Sequence, residues 1–238
     1  MKVVLCGANG AMGKLIRARL ENIAGLVSLD GENGVPKTFD ELGKVEADVV
    51  IDFSHHSAIA DVLAYAKSIN AAVVVGTTGH TLEEKALIDT AAGEIPVFFT
   101  GNVSMGIAVL CRLAKEAASY FPDADIEIVE THHTRKVDAP SGTALMLYNA
   151  IKEVRPNATA NCGRSGEGKR TKDEIGIHAL RLGNVVGVHE VHIHTGNQSL
   201  TLKHESGSRA MLADGAVAAA RFMESKTAGL YNMEDILG

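Results

Sequence analysis

An α/β fold, a doubly wound parallel sheet followed by an α+β domain with a mostly antiparallel sheet, is what the 238-residue sequence predicts. Three observations predict it. In the first hundred residues, short continuous apolar runs alternate with longer amphipathic ones, the signature of parallel strands buried on both faces and linked by helices. A glycine-rich turn joins the first apolar run to the first amphipathic stretch. Beyond residue 104 the strand-like segments alternate apolar with polar residues, as strands with one wet face do.

In chain order, Val3 to Cys6 reads as the first strand, and a helix follows over 14–23. A second strand is expected over 26–29. Further strands fall at 48–53, 72–75 and 96–99, with helical patterns at 56–69 and 81–92 between them. Parallel neighbours need right-handed crossovers, hence the doubly wound sheet. A long helix is expected over 106–120, then a strand at 126–130, a helix opening near Ser141, a Gly/Lys/Arg-rich loop over 163–172, and strands at 188–195 and 199–204. The Ala-rich tail from about 208 reads as helix. The domains are therefore expected at 1–104 and 105–208, joined by short hinges, with a C-terminal helix over 209–238 returning to the first.

Composition narrows the function classes. With 23 Lys+Arg against 29 Asp+Glu, a net charge of −6 and 4% aromatics, the chain is a poor nucleic-acid binder. Three widely spaced cysteines argue against a disulfide framework and for a reducing compartment. No apolar run reaches a membrane span, and the opening MKVVLCGANG does not read as a signal peptide. The expectation is a cytoplasmic enzyme with no membrane and no nucleic-acid partner.

The turn Gly7-Ala8-Asn9-Gly10-Ala11-Met12-Gly13 lies between a strand and a helix. Glycines there allow a sharp turn and close approach of a pyrophosphate, which then rests on helix N–H groups, as in Rossmann-like domains. Its G-x-x-G-x-x-G spacing differs from the usual G-x-G-x-x-G, and a plain glycine turn is the alternative. Asp30, after the second strand, stands where a carboxylate would accept hydrogen bonds from an adenosine ribose; turn propensity in Asp30-Gly31 explains it equally well. No basic residue follows it directly, which leans the choice of cofactor toward NADH over NADPH. Three other strand ends, Phe53-Ser54, 76–79 and 101–104, carry small or hydroxyl residues on the same edge, where parallel sheets form their ligand crevice.

The densest chemistry lies in 130–144, ETHHTRKVDAPSGTA. Two histidines exchange protons near neutral pH. Arg135 and Lys136 bring positive charge for an anionic substrate. Pro140-Ser141-Gly142-Thr143 reads as a helix start whose N–H groups can hold a carboxylate. A solvated loop ending in an ordinary cap is the bland alternative. The set suits reduction of a carboxylated C=C or C=N system.

This run, together with GANGAMG, Val50-Ile51-Asp52-Phe53-Ser54, Gly76-Thr77-Thr78-Gly79, Ile175-Gly176-Ile177-His178, Val186-Gly187-Val188-His189-Glu190 and Ser208-Arg209, resembles the 4-hydroxy-tetrahydrodipicolinate reductase family over nearly the whole chain. The resemblance implies an oxidoreductase of lysine and diaminopimelate biosynthesis, with a nicotinamide domain and a substrate-binding domain that also forms a homotetramer. It implies His132 as acid/base and Lys136 as proton donor. His133 and the Gly142-Thr143 backbone would then hold the carboxylates of a dicarboxylate substrate. Gly7, Ala8, Asn9, Gly10, Ala11, Met12, Asp30, Gly76, Thr77, Thr78, Thr100, Gly101, Asn102 and Val103 match its NAD(P)H-contacting positions. The sequence departs from the family in a short segment after the second strand, in Val103 where an aromatic is expected, and in His55-His56, where His55 offers a cation to the cofactor.

Other features are not promoted. His192 and His194 share a strand face with metal-compatible spacing, but no Cys or carboxylate cluster completes a site, so no metal is expected. Cys6 reads as a small buried hydrophobe. The loop 163–172 is expected to be solvated, with closure over an anionic substrate as a further possibility. Against the reductase stand another two-domain reductase of a carboxylated imine or aldehyde and a non-catalytic NADH-binding sensor; the intact proton donor and anion site favour the first.

Overall fold

The computed structural model describes residues 1–238 and divides into two compact units, Met1–Ser104 with Ala210–Gly238, and Met105–Arg209. The elements run β1 (Val3–Cys6), α1 (Ala11–Arg17), β2 (Ile23–Val27), α2 (Phe39–Leu42), β3 (Val49–Asp52), α3 (Ile59–Ile69), β4 (Ala72–Val75), α4 (Leu82–Ala92) and β5 (Pro96–Phe99). They continue with α5 (Met105–Tyr120), β6 (Asp125–His132), α6 (Gly142–Val154), β7 (Thr159–Cys162), β8 (Glu174–Arg181), β9 (Val188–His194), β10 (Ser199–Glu205), α7 (Ala210–Met223), β11 (Gly229–Tyr231) and α8 (Met233–Leu237).

The first unit is a six-stranded, all-parallel sheet in the order β11-β5-β4-β3-β1-β2. The order in which strands are added reverses between β1 and β3, and in such parallel sheets the ligand crevice lies at the carboxyl ends of the strands there. Its central strands are nearly all apolar because both faces are covered. Val4, Val50, Val73, Val75 and Val97 pack with Ile59, Val62, Leu63 and Ala66 of α3 and Ile88 and Ala91 of α4. The alternate residues Val3, Leu5, Val49, Ile51, Val74 and Phe98 are equally buried and point to the other face. There the small residues of α7 allow close approach: a Cβ on Gly215 would lie 1.8 Å from the Val103 carbonyl oxygen.

Several boundaries move. The first helix ends at Arg17, and β2 begins at Ile23 and stops at Val27, because the parallel register pairs Val3 with Ile23 and Cys6 with Val27. Leu29, expected in that strand, is 66% exposed beyond its end. The tail is not one helix over 209–238: α7 stops at Met223, and Leu230 and Tyr231 add a parallel edge strand beside β5 before the short α8.

The second unit is a five-stranded mixed sheet in the order β10-β9-β6-β8-β7, antiparallel across β10-β9-β6 and parallel across β6-β8-β7. Two of its strands carry too little apolar alternation to read from the chain. β7 is only TANC, and β8 interrupts its pattern with Gly176 and His178. One face buries Ile126, Ile128, Ile175, Ile177, Val191 and Ile193 under α5 and α6. The other face carries Glu127, Val129, His178, Leu180, Val188, Glu190 and His192, and no helix of this unit covers it.

Gly215→Ala is expected to lower unfolding stability by about 1–3 kcal/mol, since backbone rather than a flexible side chain blocks the added methyl. Chemical denaturation checks it, and an unchanged midpoint contradicts the close approach of α7.

Candidate active site

In the first unit the glycine loop is packed where its sequence requires. Gly7 adopts φ +80°, and a Cβ there would sit 2.2 Å from the Phe53 carbonyl oxygen. A Cβ on Gly13 would meet the Gly7 oxygen at 2.1 Å. The Gly7 and Ala8 N–H groups both donate to Val27 O, at 2.9 and 3.1 Å, and so belong to the sheet rather than to a ligand. Gly10 is the N-cap of α1, with no side-chain cap hydrogen bond and no acid in the first turn. The N–H groups of Ala11 and Met12 at that helix head are the donors a pyrophosphate would meet, so the loop fits a dinucleotide.

Asn9 donates through Nδ2 to Asp30 Oδ1 at 2.6 Å and to Glu32 O at 3.1 Å. The Asn9 amide and the Glu32 N–H hold the Asp30 carboxyl below its usual range. Sequence reading missed Lys37, because it lies seven residues beyond Asp30 in the chain. Its side chain folds over Gly31, leaving no room for a Cβ there. With Lys44, Gly7, Val27, Leu29 and Ser54 it lines a cavity of about 490 Å³.

The other strand ends form the same edge. The Phe53 ring lies over Gly76, where a Cβ would be 2.2 Å from ring carbon. Thr77 is buried and donates its hydroxyl to Asp52 Oδ2 at 2.7 Å, which ties β4 to β3, while Thr78 is exposed. Thr100 donates to Asn102 O and accepts from Asn102 N, and Asn102 Oδ1 accepts from Ser104 N, which shapes the turn through Gly101. Val103 is buried rather than presented at the surface. His55 accepts from Ser57 N at the head of a short 3₁₀ turn, and His56 Nδ1 lies 2.9 Å from the Glu84 carboxylate. The His55 ring is thus engaged locally.

In the second unit, β6 carries Glu130 and His132 two residues apart and therefore on one face. Glu130 has no exposed surface. Its Oε1 accepts from Ser141 N at 3.0 Å and from the Arg181 guanidinium at 3.0 Å. Its Oε2 accepts from the same guanidinium at 2.8 Å and lies 2.5 Å from His132 Nδ1. Burial alone would raise this carboxyl; hydrogen bonds from Arg181 and His132 outweigh it and hold the group below the usual range. Arg181 is in place because parallel pairing of β6 with β8 sets it opposite His132.

His189, opposite Glu130 on β9, is buried edge-on to the His132 ring at 5.0 Å, with Nε2 3.3 Å from Ser141 Oγ. Burial, reinforced by the neighbouring His132, pushes its imidazole down to about 4. His133 is lowered too, by desolvation and then by the charges of Arg135 and Arg209. Lys136 Nζ is 2.8 Å from Asp138 Oδ1 in the loop after β6. Ser141 caps α6 by accepting from Ala144 N, and Gly142, the first helical residue, is exposed with open space where a Cβ would be. His132, His133, Lys136, Gly142 and Thr143 thus fall on one strand end, its following loop and the helix head after it. Sequence reading assigned no role to Glu130, Arg181 or His189. The i, i+2 spacing of Glu130 and His132 was the available signal for the first; nothing marked Arg181.

Three cations of the loop 163–172 are engaged away from these residues. Arg170 pairs with Asp125 at 2.8 Å and with Glu127, Lys172 pairs with Asp123 at 2.9 Å, and Arg164 pairs with Glu174. Asp125 and Glu174 start β6 and β8, whereas His132 and Arg181 end them, so these cations gather at the opposite end of the sheet. His192 and His194 bond Thr201 and Ser199 hydroxyls at 3.2 and 2.9 Å.

Residues 1–103 match the family model for the dihydrodipicolinate reductase N-terminus, and residues 106–237 match the model for its C-terminus. A 4-hydroxy-tetrahydrodipicolinate reductase from Clostridium novyi (strain NT) is 42% identical over 249 residues, covering 99% of this chain and 98% of the relative. The enzyme of that name from Clostridium tetani (strain Massachusetts / E88) is 39% identical over 247 residues, covering 100% and 97%. Among solved structures, a dipicolinate-bound dihydrodipicolinate reductase from Paenisporosarcina sp. TG-14 superposes with a TM-score of 0.81 at 26% identity, covering 99% of both chains.

Stability should carry the signature of His189. Its native imidazole titrates near 4 against an unfolded value near 6.5, so between those values the native state binds fewer protons than the unfolded chain. The contribution is fully present above pH 6.5 and lost as pH falls toward 4, amounting to ~3 kcal/mol. Urea unfolding between pH 7 and 4 is expected to show this fall, flattened in His189→Gln. Equal slopes for both proteins contradict it.

Proposed function

The chain belongs to the dihydrodipicolinate reductase family, and from that premise we propose which of its residues carry the reaction of an NAD(P)H-dependent 4-hydroxy-tetrahydrodipicolinate reductase. The reaction, a step of lysine and diaminopimelate biosynthesis, reduces that substrate, by way of dihydrodipicolinate, to tetrahydrodipicolinate. His132 is the acid/base and Lys136 the proton donor. His133 and the Gly142 and Thr143 N–H groups hold the substrate carboxylates. The observation that carries this reading is the coupling of His132 and the head of α6 through one carboxylate: Glu130 bonds both the imidazole and Ser141 N. An acid/base group and an anion-binding helix start are thereby fixed to each other.

Bound NAD(P)H supplies the hydride. As electrons arrive at the substrate, the Lys136 ammonium offsets the growing negative charge and delivers a proton. In the free chain that ammonium pairs with Asp138, and an incoming dicarboxylate competes for it. Gly7 to Met12 and the strand-end residues Gly76 to Thr78 and Thr100 to Val103 cradle the dinucleotide, with the first-turn N–H groups of α1 on its phosphates. NADH is modestly preferred, because the exposed Asp30 carboxylate suits a ribose diol and opposes a 2′-phosphate. Lys37 and Lys44, lining the adjoining cavity, keep NADPH usable.

The enzyme works as a homotetramer. Support comes from the sheet face bearing Val129, Leu180 and Val188, which no helix of its own unit covers. A cytoplasmic site follows from the biosynthetic role; no helix is long and apolar enough to cross a membrane.

The direct test supplies substrate with the preceding synthase from pyruvate and aspartate semialdehyde and follows reduced-nicotinamide absorbance. Synthase-dependent oxidation is expected with both cofactors, faster with NADH; none with either contradicts the reading. Lys136→Ala should lower kcat by about 100-fold or more with the KM for NADH unchanged, and a collapse of cofactor affinity would move Lys136 into the nucleotide site. Asp30→Ala should raise the KM for NADH more than for NADPH, and Lys37→Ala the reverse. Equal effects on both cofactors remove these residues from the ribose.

A further inference from the structure

We propose that Glu130 is the positioning residue of the reaction: it fixes His132 with the proton on Nδ1 and so presents Nε2 as the working nitrogen. The inference rests on the reading of His132 as acid/base. Four nitrogens from three places in the chain converge on the two Glu130 oxygens: Ser141 N, two from Arg181, and His132 Nδ1. A carboxylate offers about four acceptor positions and, when ionised, no donor. Arg181 and the Ser141 N–H can only donate, so an ionised Glu130 is favoured. The fourth partner must therefore donate as well, and the Nδ1 of His132 carries the hydrogen. Neutral His132 is then left with its lone pair on Nε2.

The surroundings leave that nitrogen usable. Gly187 lies beside it, where a Cβ would stand 3.1 Å from Nε2 and crowd that nitrogen. His189, the neighbouring ring, is held neutral by burial, so a proton gained at Nε2 meets no second imidazolium beneath it. Arg181 also donates to Asp138 O at 2.6 Å, and Asp138 pairs with Lys136. The guanidinium that balances Glu130 thereby also steadies the loop bearing the proton donor. The division of work is that of a buried carboxylate orienting a catalytic histidine, which sets the tautomer without itself taking a proton.

Glu130→Gln tests it. A glutamine keeps the size but offers an NH₂ to a ring of donors, and that group fits best against His132 Nδ1, converting it to an acceptor. In ¹⁵N-labelled full-length protein at a pH where His132 is neutral, long-range ¹H–¹⁵N spectra are expected to show the Nδ1–H tautomer, and Glu130→Gln the Nε2–H tautomer. Its kcat should fall at least tenfold while the KM for NADH stays within about twofold. An Nε2–H tautomer in the unaltered protein overturns the proposal, as does a folded Glu130→Gln that keeps kcat within about twofold. If the variant does not fold, the tautomer of the unaltered protein decides alone. His132→Gln separates the two readings: full activity there removes His132 as acid/base, whereas the tautomer reports on Glu130 whatever the turnover.

Discussion

A carboxylate with no contact to water has to be compensated from every side, and Glu130 imposes that requirement on the whole second unit. The Arg181 guanidinium reaches it only because β8 runs parallel to β6 in a register that sets Arg181 opposite His132. The Ser141 N–H reaches it only because α6 starts where the loop after β6 returns to the sheet. Removing one partner of such a buried pair typically costs about 3–5 kcal/mol, more than most single contacts in a domain this size. The mixed sheet, the helix start and the orientation of His132 are therefore parts of one solution, and the geometry of the candidate site comes with the fold.

The first unit is organised by a different constraint, the absence of side chains. Gly7, Gly13 and Gly76 each stand where a Cβ would overlap the backbone or the Phe53 ring. These contacts draw the ends of β1, β3 and β4 close together, so a flat ligand edge replaces a layer of side chains. Hydroxyls and amides there, on Thr77, Thr100 and Asn102, are spent largely on holding the turns. On the proposed reading, cofactor contact is thereby left to backbone N–H groups and to residues lining the cavity beside Lys37. The groups proposed to carry the reaction, His132 and Lys136, lie in the second unit, so the two tasks fall on different parts of the chain.

Much of this was legible in the chain. Continuous apolar runs such as Val49-Val50-Ile51 identify strands covered on both faces, and the parallel sheet follows from them. The run from Glu130 to Ala144 marks the strand end with His132, the loop with Lys136 and the start of α6 together. What escaped was set by tertiary register. The beginning of β2 at Ile23 is dictated by Val3, and β8 is held by pairing rather than by its own pattern. Arg181 and Lys37 carry no local signal, since their partners lie 51 residues away for Arg181 and across a turn for Lys37. Arg164, Arg170 and Lys172 look available in sequence, and only the start of β6 and β8 shows where their charge goes.

The central claim is that the dicarboxylate lies at the head of α6 against His132, on the frame Glu130 holds. A crystal structure of the protein with NADH and dipicolinate tests it most directly. The account predicts one carboxylate accepting from the Gly142 and Thr143 N–H groups, His133 beside a carboxylate, and the ring within reach of His132 Nε2. Dipicolinate bound instead at Arg164, Arg170 and Lys172, with the head of α6 left to solvent, would contradict it.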